Sequence, residues 1–92
     1  MDKPLFPLGK TVATPGAINA LEKVGQNPNT YLKRHQCGDW GDCGTEDKRE
    51  NDLSVREDLR IFSVYCIAVS QKVWVITEAD RSSTCILLPD EY

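Results

Sequence analysis

Nowhere does this sequence of 92 residues approach the roughly 20 consecutive apolar residues that a membrane-spanning helix requires, so no bilayer crossing is expected. Positive charge is not in excess either. The net charge is -3, which removes any general attraction to phosphate backbones and argues against a nucleic-acid partner. The one dense charged run, residues 46–52, neutralises itself. The amino terminus lacks a long apolar stretch and is broken by Pro4 and Pro7, which predicts no secretory signal and a cytoplasmic location. Internal repeats, low-complexity tracts and a glycine-rich cofactor loop are all missing, and no cofactor is expected. Without a secretory signal, the four cysteines are expected to stay reduced. The length leaves room for one small domain and not two.

What the chain does contain is a strong β pattern at its carboxyl end. Residues 73–77 and 84–88 are each the length of a strand and rich in β-branched side chains, and residues 78–83 between them have nothing to bury. Both runs are apolar at successive positions, which predicts that something covers each face of the sheet. Residues 59–69 form the strongest single strand, giving a three-stranded antiparallel meander with Val12 in a fourth strand at the edge. Cys66 and Cys85 lie inside these runs and read as small core residues.

The first half reads as helices. Thr14, Pro15 and Gly25 carry the grammar of cap, first turn and stop, and Asn27, Pro28 and Gly38 repeat it, so two short helices form a hairpin. Ala17, Ile18, Leu21 and Val24 share one helical face, expected to be core. Thr45 is expected to cap a third, mostly solvated helix. The predicted architecture is α+β: an extended arm over residues 1–10, then a single domain over residues 11–92. In it the N-terminal helical hairpin packs on a meander of three or four strands, and the arm or third helix shields part of the other face.

The string His35-Gln-Cys-Gly-Asp-Trp-Gly-Asp42, Asn51, and the stretch Lys72-Val-Trp-Val-Ile-Thr-Glu-Ala-Asp-Arg-Ser that continues to Tyr92 resemble a family of short bacterial proteins of plasmids and other mobile elements. The likeness spans about residues 8–92. It implies an accessory protein whose activity is not established, although such proteins also carry the label of a type I restriction modification subunit. The residues speak against that label. A methyltransferase needs a larger Rossmann-like domain with a glycine-rich loop and an Asn/Asp-Pro-Pro-aromatic motif, and 27–29 is Asn-Pro-Asn. The chain departs from the family pattern at 43–46 and 54–58, where more glycine is expected.

Three groups of residues bear on function. His35, Cys37, Asp39, Asp42 and Cys43 are metal-ligating types, but the spacing matches no common finger and no second Cys/His pair follows, so no metal is expected. His35, Arg60, Arg81 and Thr84, with Ser63 and Tyr65, would suit a small RelE- or barnase-like ribonuclease, in which a base takes the 2′-hydroxyl proton while Arg steadies the phosphate. Arg60 falls out of phase with Ser63 and Tyr65 on the strand, however. The turn at 78–83 is more polar than turn formation requires, and Glu78, Asp80 and Arg81 beside Asp39, Trp40 and Asp42 would form a recognition surface. The leading expectation is a non-enzymatic interaction module of a plasmid or phage, binding a host or plasmid-encoded protein such as a defence component. The ribonuclease is the alternative, and a homodimer built through an exposed sheet edge is a third reading.

Overall fold

Local capping chemistry sets the two short helices. In the computed structural model, which describes residues 3–92, Thr14 precedes helix α1 (Pro15–Lys23) and its hydroxyl accepts the Ala17 N–H at 3.1 Å. Asn27 caps α2 (Pro28–Gln36) in the same way, accepting from Asn29 N–H at 2.8 Å. A proline fills the first turn of each helix, where an N–H would have no partner. Behind them Gly25 and Gly38 take the left-handed conformation, and the following N–H groups, of Gln26 and Asp39, return to Leu21 and Arg34 to close the last turns.

Helix α3 (Thr45–Glu57) begins one residue earlier than expected. Gly44 is the cap, with no side-chain capping bond, and Thr45 is already helical. Glu46 and Asp47 lie in the first turn, where they complement the helix dipole. At the other end Asp58 adopts φ 53, so an aspartate makes the left-handed turn.

Four strands form one sheet in the order β1-β4-β3-β2: β1 (Lys10–Ala13), β2 (Ile61–Ala68), β3 (Gln71–Thr77) and β4 (Ser83–Leu87). The last three are the antiparallel meander, and the fold is the α+β arrangement of N-terminal helices on C-terminal strands. β1 is an edge strand, but it runs parallel to β4, pairing Val12 with Cys85. Three helices separate it from the meander, so no tight turn dictates its direction.

Most of the core lies on one side, under the helical hairpin. Ala17, Leu21 and Tyr31 of the helical hairpin meet Tyr65, Ile67, Val73, Val75 and Ile86 on the inner sheet face. A second cluster joins Phe6, Trp40, Cys43 and Ile61. The arm belongs to this side: Phe6 is buried, Leu5 N–H donates to the Gln36 carbonyl at 2.8 Å, and Gln36 Nε2 donates to the Phe6 carbonyl at 2.8 Å. The arm expected at 1–10 is therefore docked from Leu5 onward and becomes sheet at Lys10, while residues 1 and 2 lie outside the described residues. Ile18 and Val24, expected in the core, are exposed because α1 seats Ala17 and Leu21, one turn apart, against the sheet. Cys66 is exposed for a related reason. Its parity along β2 points it outward, and nothing covers the face there.

The outer edge of β2 is closed by other parts of the chain. Asn51 Nδ2 donates to the Phe62 carbonyl at 2.6 Å, and its Oδ1 accepts the Phe62 N–H at 3.0 Å. Two residues on, Val64 N–H donates to the Trp40 carbonyl and its own carbonyl accepts the Asp42 N–H. Gly41 is required at this crossing, since a Cβ there would stand 1.9 Å from the Val64 carbonyl oxygen.

Candidate interaction surface

His35 occupies the interior, on the buried side of α2. Its imidazole is fully buried, with Nδ1 2.6 Å from Ser63 Oγ and Nε2 2.9 Å from Thr77 Oγ1. Thr77 Oγ1 lies 2.7 Å from Thr84 Oγ1, which donates to the Leu8 carbonyl at 2.8 Å. That terminal carbonyl can only accept, so it fixes the direction as far as the ring. Thr84 donates to Leu8, Thr77 to Thr84, and the Nε2–H of His35 to Thr77. Burial first, with the Arg81 charge second, pulls the imidazole pKa down to about 3, so the ring is neutral and its Nδ1 accepts from Ser63. A histidine so engaged holds α2, the meander and the arm together. It has no free nitrogen for a metal or a substrate.

The four residues of the ribonuclease alternative do not converge. His35 and Thr84 are buried, whereas Arg60 is half-exposed, 3.7 Å from Glu78 and donating to the Tyr92 hydroxyl at 2.7 Å. Among the described residues no three His, Cys, Asp or Glu side chains gather as a metal would require.

The expected recognition surface also comes apart. Trp40 is only 4% exposed: its ring stacks on Phe6, meets His35 edge-on and donates Nε1–H to Asp52 at 3.0 Å. A large ring beside the glycine turn is worth more inside the second cluster than in water, so Trp40 is a plug and not a contact residue. Arg81 is equally committed. In a left-handed conformation (φ 60), it donates to the carbonyls of Ser54 and Leu59 at 2.8 and 2.7 Å and to those of Glu78 and Ala79 at 3.2 Å. Its guanidinium sits over the Phe6 ring, which lies between it and Trp40. Asp39 is exposed but paired with Arg34 at 2.7 Å, and that guanidinium holds its carboxyl below the usual range. Asp80 accepts from Ser82 N–H at 3.0 Å, a turn bond that, together with the Ser82 hydroxyl, keeps its pKa low. Of the six residues expected in that surface, Asp42, Glu78 and Asp80 are exposed alongside the paired Asp39, with Glu78 3.7 Å from Arg60.

What the structure does expose is the outer face of the sheet. Lys72, Trp74 and Ile76 of β3, Phe62, Val64 and Cys66 of β2, Cys85 and Leu87 of β4 and Val12 of β1 all point there. Helices α1 and α2 pack on the opposite face, while Phe62 and Val64 lie against the second cluster at the β2 edge. Ile76 and Leu87 are buried among their neighbours, Phe62, Val64, Trp74 and Cys85 are half-buried, and Val12 and Cys66 are exposed. Tyr92 folds back after the 3-10 turn Pro89–Glu91 and sets its ring 5.5 Å from Trp74, which in turn lies 4.8 Å from Phe62. Tyr92 itself is 66% exposed, so it extends the aromatic row more than it covers it. The signal for this face is in the sequence: successive apolar residues in β3 and β4 call for a cover on both sides, and the outer one is met only in part, by Tyr92.

No family model, no curated protein and no solved structure matches this chain.

Proposed function

We propose that the protein is a non-enzymatic interaction module whose partner is another protein, seated on the outer face of the sheet. The observation that carries this reading is the row Phe62, Trp74 and Tyr92, flanked by Val12 and Val64, on the sheet face opposite α1 and α2. An aromatic and aliphatic centre with a charged rim of Lys72, Arg60 and Glu78 is the composition of a protein-binding surface. Nucleic acid fits it less well. Arg60 is already engaged by Glu78 and Tyr92, and the rings lie tilted against one another instead of presenting flat faces for bases. The mobile-element resemblance supplies the setting: an accessory protein of a plasmid or phage that acts on a host or plasmid-encoded protein, such as a defence component. Among the described residues no helix is long and apolar enough to cross a membrane.

The test is affinity capture from a plasmid-bearing host with the natural chain and with Trp74→Glu, both checked for native circular dichroism. A stoichiometric protein recovered by the first and lost by the second is the expected result. Recovery of no such protein, or its retention by the variant, would overturn the reading, as would RNA cleavage by the purified natural chain.

A further inference from the structure

The two edges of the sheet are treated in opposite ways. At β2 the outward main-chain groups of Phe62 and Val64 are answered by Asn51, Trp40 and Asp42. At β1, among the described residues, nothing answers. Lys10 N–H donates to the Ser82 carbonyl and Thr14 N–H to that of Ile86, each at 3.0 Å, so residues 10, 12 and 14 turn their main chain inward. Thr11 and Ala13 consequently turn theirs outward. Lys10, Thr11 and Val12 are exposed; the strand is short and bears one lysine, but it has no proline, no bulge and no inward-pointing charge to block pairing.

We infer that a second copy of this chain adds at this edge, with the two β1 strands antiparallel about a two-fold axis at Val12. In that register Thr11 of each copy faces Ala13 of the other, and each such pair exchanges both its N–H···O bonds. Every outward group of the two residues is thereby satisfied. Val12 meets Val12 as a close, non-hydrogen-bonded pair on the outer face. Lys10 falls opposite Thr14 of the other copy, whose hydroxyl donates to Glu91 Oε1 at 2.6 Å, so the axis generates two Lys10–Glu91 ion pairs. Lys10 takes part in no ion pair within the described chain, and Glu91 is exposed.

Neighbouring registers are poorer. Moving the axis to Thr11 keeps a hydrogen-bonded Thr11–Thr11 pair but sets Lys10 against Val12 and away from Glu91. Moving it to Ala13 sets Thr11 against Pro15, which has no N–H to give. Charge and hydrogen bonding therefore select one self-complementary pairing, which joins the two sheets into one of eight strands with both outer faces on the same side. The edge touches the outer face only at Val12, away from the aromatic row, and the dimer stands whether or not that row has a partner of its own.

The experiment is oxidative cross-linking of Val12→Cys and Thr11→Cys, each in a Cys66→Ser background, together with sedimentation equilibrium of the natural chain and Thr11→Pro. Facing side chains in a non-hydrogen-bonded pair come close enough for a disulfide, so Val12→Cys is expected to give a covalent dimer and Thr11→Cys is not. The natural chain is expected to approach twice its monomer mass as concentration rises. Thr11→Pro, which removes outward donors from both copies, is expected to weaken association by roughly tenfold or more. If Thr11→Pro does not fold, the cross-linking pair still decides. A natural chain that stays monomeric up to its solubility limit, or equal cross-linking of the two cysteine variants, would overturn the dimer and leave the outer-face partner untouched.

Discussion

The side chain of Asn51 pairs with the main chain of Phe62 as a neighbouring strand would, donating to its carbonyl at 2.6 Å and accepting its N–H at 3.0 Å. Asn51 is 4% exposed, so water cannot take over either bond. Replacing it with Ala leaves a half-buried N–H and carbonyl unpaired on β2 and is expected to cost about 2–4 kcal/mol. Asn51→Asp keeps the acceptor but faces a carboxylate with the Phe62 carbonyl, and should do no better. The midpoint of urea unfolding checks both, with the slope m unchanged. The Ala variant should also aggregate more readily, because it uncovers a sheet edge.

His35 is the only histidine, and this makes its titration readable. Its folded pKa lies near 3, below the ordinary 6.5, so between those values the unfolded chain binds a proton that the folded chain refuses. Its contribution is therefore complete above about pH 6.5 and is lost as pH falls through the window, at up to roughly 1.4 kcal/mol per pH unit. The carboxylates with lowered pKa values, Asp39, Asp80 and Glu91, push in the same direction, but only below their ordinary values near pH 4. Stability measured between pH 4.5 and 6.5 should accordingly rise with pH in the natural chain and run flat in His35→Gln. A slope of equal size in that variant would deny the histidine this role.

Arg81 should resist replacement by lysine. Its planar guanidinium serves four carbonyls at once, two of them at the carboxyl end of α3 and beyond, and an ammonium cannot span that fork. Arg81→Lys is expected to lose about 1–3 kcal/mol of stability. Asp80→Ala, one residue away in the same turn, removes a single exposed turn bond and is expected to change stability by less than about 0.5 kcal/mol. Thermal unfolding of the pair separates a structural clamp from a merely polar tip.

These residues mark where the sequence could be read and where it could not. The caps at Thr14 and Asn27 were legible because the hydroxyl or amide, the proline and the first N–H all lie within one turn of chain. The meander was legible for the same local reason. Arg81 and Trp40 looked like surface groups because their partners, carbonyls of α3 in one case and the Phe6 and His35 rings in the other, are brought in by tertiary folding. Asn51 sits in a helix whose sequence is almost wholly charged, and nothing local says that one side chain will act as a strand. The apolar succession in β3 and β4 did predict two faces in need of cover. It could not say that α1 and α2 would choose the same one.

That choice of side gives the last prediction. Trp74 and Ile86 lie in adjacent strands on opposite faces, the first half-buried on the outer side and the second fully buried under the helices. Ile86→Ala opens a cavity and should cost roughly 2–5 kcal/mol. Trp74→Thr keeps a β-branched residue in the strand and gives up contact with Phe62 and Tyr92 and with its cross-strand neighbours Val64 and Leu87 on the outer face, so about 1–2 kcal/mol is expected despite the larger ring removed. Binding of a hydrophobic dye by the folded protein should move the other way, falling in Trp74→Thr, where the exposed aromatic row is broken, and staying level or rising in Ile86→Ala. Dye binding unchanged by Trp74→Thr would mean that the outer face is not the sticky one, and the proposed docking surface would lose its footing.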